Sequence, residues 1–396
     1  IVLFFNYQEL IISQSTPIIN LAVIAVAAIF LSTYLWKKKH GVFVRTAIVE
    51  FYLDVKEYLA TNLQYTKNMQ ERISTLQIAS LNPSPKPQTI ILVIGESASR
   101  DYMKAFKKDY KYDTTPWLDK MAQRKNFILF PNAFSILPHT VTAVSNAMTE
   151  INQYNNKKFY ESCSIIDIAH KAGYKVHWYS NQGHLGCADT PVTLIANTAD
   201  VAKWTKQELN QVQYDESLLP YLEELDAEKN NFLVVHLKGN HFNFLNRFPE
   251  SFTKFGTPGK YDLEVNYANS IAYTDYVLEQ IFNYAKDNLN LQAMVYFSDH
   301  ATVPDKRRSP NFEGLASVRI PFFTYFADEY IAQHQDVYNT LKKHENFYWT
   351  NDLAYELLCS ILDIKSNHFD EANSLASEKF KYKREDLRTN CGQSKI

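Results

Sequence analysis

Glycine is scarce in this chain, at 10 in 396 residues. That excludes collagen-like and other glycine-paced repeat architectures. No internal repeat or low-complexity tract is present. Cysteine is equally sparse. Cys163, Cys187, Cys359 and Cys391 show no C-x-x-C spacing, so neither a zinc ribbon nor a dithiol redox motif is expected. Cys163 and Cys187 could close a disulfide in an oxidising compartment, and free buried thiols are the alternative. An excess of one charge is also missing. The 41 Lys and Arg against 43 Asp and Glu leave a net charge of -2. No basic cluster is interleaved with aromatics, so nucleic acid is not an expected partner. Walker A, G-x-G-x-x-G and G-x-S-x-G are absent, which removes nucleotide cofactors and α/β-hydrolase chemistry from consideration.

Aromatic residues are abundant, with 26 Tyr and 25 Phe. Long apolar runs are present too. Pro17 to Trp36 is twenty residues without a formal charge. As a helix it spans about 30 Å, the thickness of the bilayer hydrocarbon. Tyr34 and Trp36 suit an interfacial belt, and Lys37-Lys38-Lys39 ends the run. A signal peptide or a buried core helix is the alternative, but the basic cluster follows the run and no small-residue cleavage site is evident. Residues 1–40 are therefore expected to be a membrane region with a transmembrane helix over 17–36.

Residues 41 to about 72 predict a helix, with Val44, Ile48, Phe51, Tyr52, Val55, Tyr58 and Leu59 at three- and four-residue steps. This stripe suits a membrane surface or packing on the following domain. Asn82 to Pro87 holds three prolines and sets a boundary, so 41–87 is expected to be a linker. Beyond it, apolar runs at 89–94, 127–130, 174–179, 232–237, 293–298 and 320–326 alternate with helical patterns at Glu161–Ala172 and Asn266–Lys286. Alternation of this kind predicts an α/β domain over 88–385, a mostly parallel sheet between helices. The chain from about Lys365 is polar and expected at the periphery, with 386–396 as a tail.

The chemistry gathers where two of these runs end. Thr89 to Ile94 gives way to Gly95-Glu96-Ser97, and Ala293 to Phe297 to Ser298-Asp299-His300. Open α/β sheets collect function at the carboxyl ends of strands. Glu96, Asp299 and His300 are two oxygen ligands and one nitrogen ligand, a mixture that zinc accepts. An Asp in such a tripeptide also serves as an ordinary cap. Leu137-Pro138-His139-Thr140-Val141-Thr142 predicts a turn feeding a helix. Thr140 near its N-terminus could bind a metal and attack phosphorus, or could simply be an N-cap. His241, after the run ending near Leu237, could protonate a leaving group, or bind phosphate or a second metal. His236 lies inside that run and reads as a core histidine. Arg307 and Arg308 could hold a phosphate, or stand in a solvated loop.

The series Val93-Ile94-Gly95-Glu96-Ser97, Tyr112-Asp113-Thr114-Thr115-Pro116, the Thr140 segment, Gly239-Asn240-His241 and Ser298-Asp299-His300 resembles the bacterial phosphoethanolamine transferases of the alkaline phosphatase/sulfatase superfamily. Trp178-Tyr179-Ser180-Asn181-Gln182 is similar to the branch acting on lipopolysaccharide core or periplasmic glucans. The resemblance covers about 88–330. It implies an alkaline-phosphatase-like catalytic domain in the periplasm, held at the bacterial inner membrane by several helices, of which 17–36 would be the last. Lys37–Lys39 would then face the periplasm, against the positive-inside tendency. A zinc site of Glu96, the nucleophilic threonine, Asp299 and His300 is implied, with His241 on substrate phosphate or a second zinc. The implied donor is phosphatidylethanolamine, the acceptor lipopolysaccharide or another envelope glycan, and the state a monomer.

The chain departs from the family in places. Relatives often carry Cys-Gly-Thr-x-Thr, and overlay on that pattern selects Thr142. Measuring back from Ala147-Met148-Thr149 selects Thr140, which we prefer. Ala301-Thr302-Val303 follows His300, where relatives have Gly-Glu, and no histidine follows until His334. Arg307 or Arg308 would then replace a second metal. A phosphoglycerol transferase, a sulfatase-like phosphodiesterase and a non-catalytic envelope scaffold are the alternatives on the same fold.

Overall fold

The structure is a computed structural model. It describes residues 26–27, 29–30, 47–80, 86–183, 190–206, 212–259, 262–306, 314–390 and 392–396. The chain divides into two compact units, Ile1–Thr61 and Asn62–Ile396. In the first, Val26, Ala27, Ile29 and Phe30 are helical and exposed. The rest of the expected span Pro17–Trp36, and Lys37–Lys39, lie outside the described residues. Among the described residues no helix is long and apolar enough to cross a membrane.

Helix α1 (Ala47–Thr75) covers most of the helix predicted from 41 to 72, and Val44 lies outside the described residues. Its last turns belong to the second unit. Tyr65 and Arg72 are buried there, with the Arg72 guanidinium 4.2 Å from the Tyr65 ring centre. Arg72 Nη1 donates to Tyr160 O at 2.9 Å. This stretch therefore packs on the domain, one of the two placements the stripe allowed. A short strand, Ile78–Ser80, then pairs antiparallel with Ile364–Ser366.

Seven strands form the central sheet. In chain order they are β1 (Thr89–Gly95), β2 (Phe127–Leu129), β3 (Lys175–Ser180), β4 (Val201–Trp204), β5 (Asn231–His236), β6 (Leu291–Ser298) and β7 (Phe322–Phe326). Their spatial order is β2-β7-β6-β1-β5-β3-β4. β7 runs against both β6 and β2, and the other pairs are parallel, so the sheet is mixed with a parallel majority.

Alternate residues of each strand enter two cores, as the two-residue pleat requires. Ile90, Leu92 and Ile94 of β1 pack with Val144 of α2 (Thr140–Ala147), Ile168 of α3 (Ile165–Lys171) and Leu357 of the helix Ala354–Ile361. Ile91 and Val93 join Ile271, Val277 and Ile281 of α4 (Leu263–Asn288) on the opposite face. The buried central strands explain their near-continuous apolar runs. α3 starts later than the predicted Glu161, because Ser164 and Asp167 form a capping box. Phe159–Glu161 is a separate 3-10 turn.

The carboxy-terminal stretch is not peripheral. Leu375 and Leu387 are fully buried, and Thr389 Oγ1 donates to Ser135 O at 2.8 Å. Its apolar residues are scattered among polar and charged ones, so no periodicity marks them. Cys163 and Cys359 are free, buried thiols. Cys187 and Cys391 lie outside the described residues.

Candidate active site

The site grows from the sheet's register. Gly95 stands opposite Ser298, Ile94 opposite His236, and His236 opposite Ser180. Four parallel strands therefore end level, and the residues just beyond them share one rim. Glu96 follows β1, Asp299 and His300 follow β6, Gln182 follows β3, and Gly239 to His241 follow β5.

Glu96, Asp299 and His300 are essentially sealed from solvent. His300 Nε2 lies 3.4 Å from Glu96 Oε1 and 3.4 Å from Asp299 Oδ2. Thr140, the first residue of α2, donates its hydroxyl to Glu96 Oε2 at 2.9 Å, and His300 Nε2 lies 3.5 Å from Thr140 Oγ1. His300 Nδ1 sits 3.0 Å from Ala301 O. A carbonyl only accepts, so Nδ1 carries a proton, and Nε2 is the ring nitrogen turned to the two carboxylates. Asp299 Oδ2 is buried without a hydrogen-bond partner. Two carboxylates, one imidazole nitrogen and one hydroxyl thus come together, a donor set that suits a divalent ion such as zinc.

The support around these atoms is dense. Ser97 holds a left-handed conformation at φ +58°. Its N–H donates to Asp299 Oδ1 at 2.9 Å and its hydroxyl to Glu96 Oε1 at 2.5 Å. The buried Tyr267 hydroxyl donates to Ser97 O at 2.7 Å and accepts from Ser99 N at 2.9 Å. These contacts hold a residue whose backbone is intrinsically disfavoured. Gly239 has φ +48°, and a Cβ there would stand 2.8 Å from Glu96 O. Only glycine fits that approach. Asp215 fixes the same turn, accepting from Lys238 N at 2.7 Å and Gly239 N at 2.8 Å.

The two carboxyls titrate apart. Burial works to raise Glu96, but the hydrogen bond and charge of His300, with His241 and Ser97, hold it well below the usual carboxylate range. Burial first, and the charge of Glu96 second, push Asp299 up to about 7. Like charges confined together separate in this way, and a cation between them would remove the conflict.

Thr142 lies two residues further along α2 and is half-buried, and the Glu96 hydrogen bond falls to Thr140. His241 is half-buried, with Nδ1 2.5 Å from Phe242 O, and its charge reaches Glu96. Arg307 and Arg308 lie outside the described residues. Gln182 entered the sequence reading only as the last residue of the Trp178–Gln182 motif, with no role assigned. Its Nε2 reaches Glu96 Oε2 at 3.3 Å and Leu237 O at 2.7 Å, while Lys238 Nζ holds its Oε1 at 3.1 Å. Its place just past the end of β3 was the available signal. Another group of metal-type donors, Glu150, Cys163 and His368, occurs elsewhere. Its carboxylate already receives Cys163 N at 2.8 Å, His368 Nδ1 at 3.0 Å and the Lys157 ammonium, which makes it a structural ion-pair network.

Comparison with known proteins agrees with this architecture. The sulfatase family profile matches residues 88–359. Phosphoethanolamine transferase EptC of Escherichia coli is 28% identical over 323 residues, covering 75% of this chain and 54% of the relative. The chain thus spans about half the length of the curated relatives it matches. The crystal structure of the C-terminal periplasmic domain of Escherichia coli EptC in complex with Zn superposes with a TM-score of 0.69 at 24% identity, covering 81% of this chain and 94% of that one. The integral membrane lipooligosaccharide phosphoethanolamine transferase A of Neisseria meningitidis gives a TM-score of 0.63 at 16% identity, covering 90% and 69%. By its matched profile and its mixed sheet, the chain belongs to the sulfatase family of the alkaline phosphatase superfamily, where its relatives are bacterial phosphoethanolamine transferases.

Proposed function

We propose that this chain carries a phosphoethanolamine transferase centre with Thr140 as its nucleophile. The observation that carries the reading is the Thr140 hydroxyl, hydrogen-bonded to Glu96 at 2.9 Å at the meeting point of Glu96, Asp299 and His300. The names of the relatives support the transferred group. Thr140 Oγ1 forms a bond to the phosphorus of phosphatidylethanolamine, and the bond from phosphorus to the diacylglycerol oxygen breaks. The threonine proton is lost as the new bond forms, and the departing oxygen takes up a proton. An oxygen of lipopolysaccharide or another envelope glycan then takes the group from threonine and restores the hydroxyl.

Glu96, Asp299, His300 and the Thr140 oxygen would hold zinc, which when bound lowers the hydroxyl pKa and offsets phosphoryl charge. The chain's own groups do the rest. Thr140 opens α2, where backbone N–H groups lack helical partners and favour an anion. Gln182 and Ser97 fix the Glu96 carboxylate that orients the nucleophile. His241 is assigned to the substrate phosphate or to the proton of the leaving oxygen. The relatives described as periplasmic and integral-membrane proteins support an inner-membrane protein with this domain in the periplasm.

The test is a mass spectrum. Zinc-loaded protein incubated with phosphatidylethanolamine and digested should show phosphoethanolamine on the Thr140 peptide. Thr140→Ala should abolish the adduct, and Thr142→Ala should keep it. An adduct on Thr142, or none with the unaltered chain, would overturn the assignment.

A further inference from the structure

Beside Thr140 the sheet opens into a small pocket that the proposed chemistry leaves unused. One row across the sheet builds its wall. His236 ends β5 opposite Ser180, and Ser180 stands opposite Trp204 of β4. Trp178, two residues before Ser180, points to the same face. These four residues line the pocket together with Thr140 and Gln182. Trp178 is buried, and its ring meets the His236 ring edge-on at 6.0 Å and 87°.

His236 is 2% exposed, and its Nε2 is buried without a hydrogen-bond partner. Burial takes its pKa down to about 4, so the ring is neutral and presents no repelling charge. A core histidine would have its ring nitrogens satisfied, since an unpaired buried polar atom is costly. Trp178 and Trp204 bring two indole rings to the same lining, and an aromatic ring attracts a cation. The cavity volume is about 20 Å³. A single water needs roughly 10–15 Å³ by this measure, so one water-sized group fits and little more.

We propose that this pocket receives the ammonium end of the transferred group, with Trp178, Trp204 and His236 as its specificity residues, and that it selects a primary ammonium over a quaternary one. The inference rests on the transferase reading given above and adds the recognition of the headgroup. A primary ammonium is one heavy atom, close to water in size, with N–H donors for an imidazole lone pair. A trimethylammonium has three more carbons and no N–H. A glycerol headgroup brings no charge to the indole faces.

The experiment uses the zinc-loaded chain and a graded series of donors: phosphatidylethanolamine, its N-methyl and N,N-dimethyl forms, and phosphatidylcholine, in matched detergent micelles. Formation of the Thr140 adduct should slow with each methyl and fall at least about tenfold by the trimethyl form, within the range a lost cation–π contact and a steric clash give. Trp204→Ala should flatten the series, and Trp204→Phe, which keeps a ring, should retain it. His236→Leu should slow the primary amine donor and spare the trimethyl one. Binding is read separately by calorimetry, with O-phosphoethanolamine expected to bind at least about tenfold tighter than phosphocholine. Equal adduct rates across the series overturn this proposal and leave the transferase reading standing. An unchanged preference in Trp204→Ala, with its circular dichroism unaltered, overturns it too. No adduct from any donor overturns the transferase reading, and equal binding of the two phosphoamines then overturns the pocket assignment as well.

Discussion

Zinc affinity should climb steeply with pH and then level off near neutrality. The cause is the Asp299 carboxyl, which burial and the neighbouring Glu96 charge lift from 3.8 to about 7. Below that value the metal-free domain keeps a proton on Asp299, while Glu96 is ionised. A cation shared by the two needs both ionised, so binding must expel that proton. Each pH unit below 7 then weakens binding about tenfold, or about 1.4 kcal/mol. Between pH 5 and pH 7 affinity should rise about 50-fold, with only about a further twofold from 7 to 8. A proton on His300 would act in the same direction. Competition with a chelator at fixed ionic strength gives the affinities. Calorimetry in two buffers of different ionisation enthalpy gives the protons released, expected close to one at pH 6. The sign for stability is opposite without metal. An acid raised on folding binds more protons folded than unfolded between its two pKa values, so the chelated domain should lose stability as pH rises from about 4 to about 7. Affinity that is flat from pH 5 to pH 7, with no proton release, would refute the electrostatic account. Asp299→Asn should bind weakly and lose this carboxyl's share of the pH dependence.

Two further substitutions probe the scaffold. Gly239→Ala forces a side chain into φ +48° and against Glu96 O, so urea unfolding should show a loss of about 2 kcal/mol or more, together with weaker zinc binding. Tyr267→Phe leaves Ser97 O and Ser99 N unsatisfied in the core, so it should cost about 2–3 kcal/mol and slow Thr140 adduct formation by displacing Glu96.

Most of the sheet was legible in the sequence, because buried parallel strands write themselves as apolar runs. β1, β3, β5 and β6 lie within a few residues of the runs that announce them. Their carboxyl ends also announced Glu96, Asp299 and His300. β4 went unread. Val201-Ala202-Lys203-Trp204 is short, half-exposed and charged, as an edge strand is, yet it supplies a wall of the headgroup pocket. The reversed direction of β7 was invisible as well, since an apolar run carries no sign of its sense. Gln182 and Gly239 stood in quoted motifs without a role, for a different reason. Their importance lies in who stands next to them, and only register decides that. His236 was read as a core residue, and it is buried, but its unpaired nitrogen appears only when neighbours are known.

The pairing of Gly95 with Ser298 has a consequence for how the protein is made. The ligands arrive from segments separated by most of the domain's length. A slip of two residues between β1 and β6 would carry Asp299 about 7 Å from Glu96. A nascent chain that has not yet delivered β6 therefore has no clasp to close. The ion cannot template early folding and must be captured by a sheet already assembled, so metal supply should govern activation of the finished domain and leave its folding rate untouched.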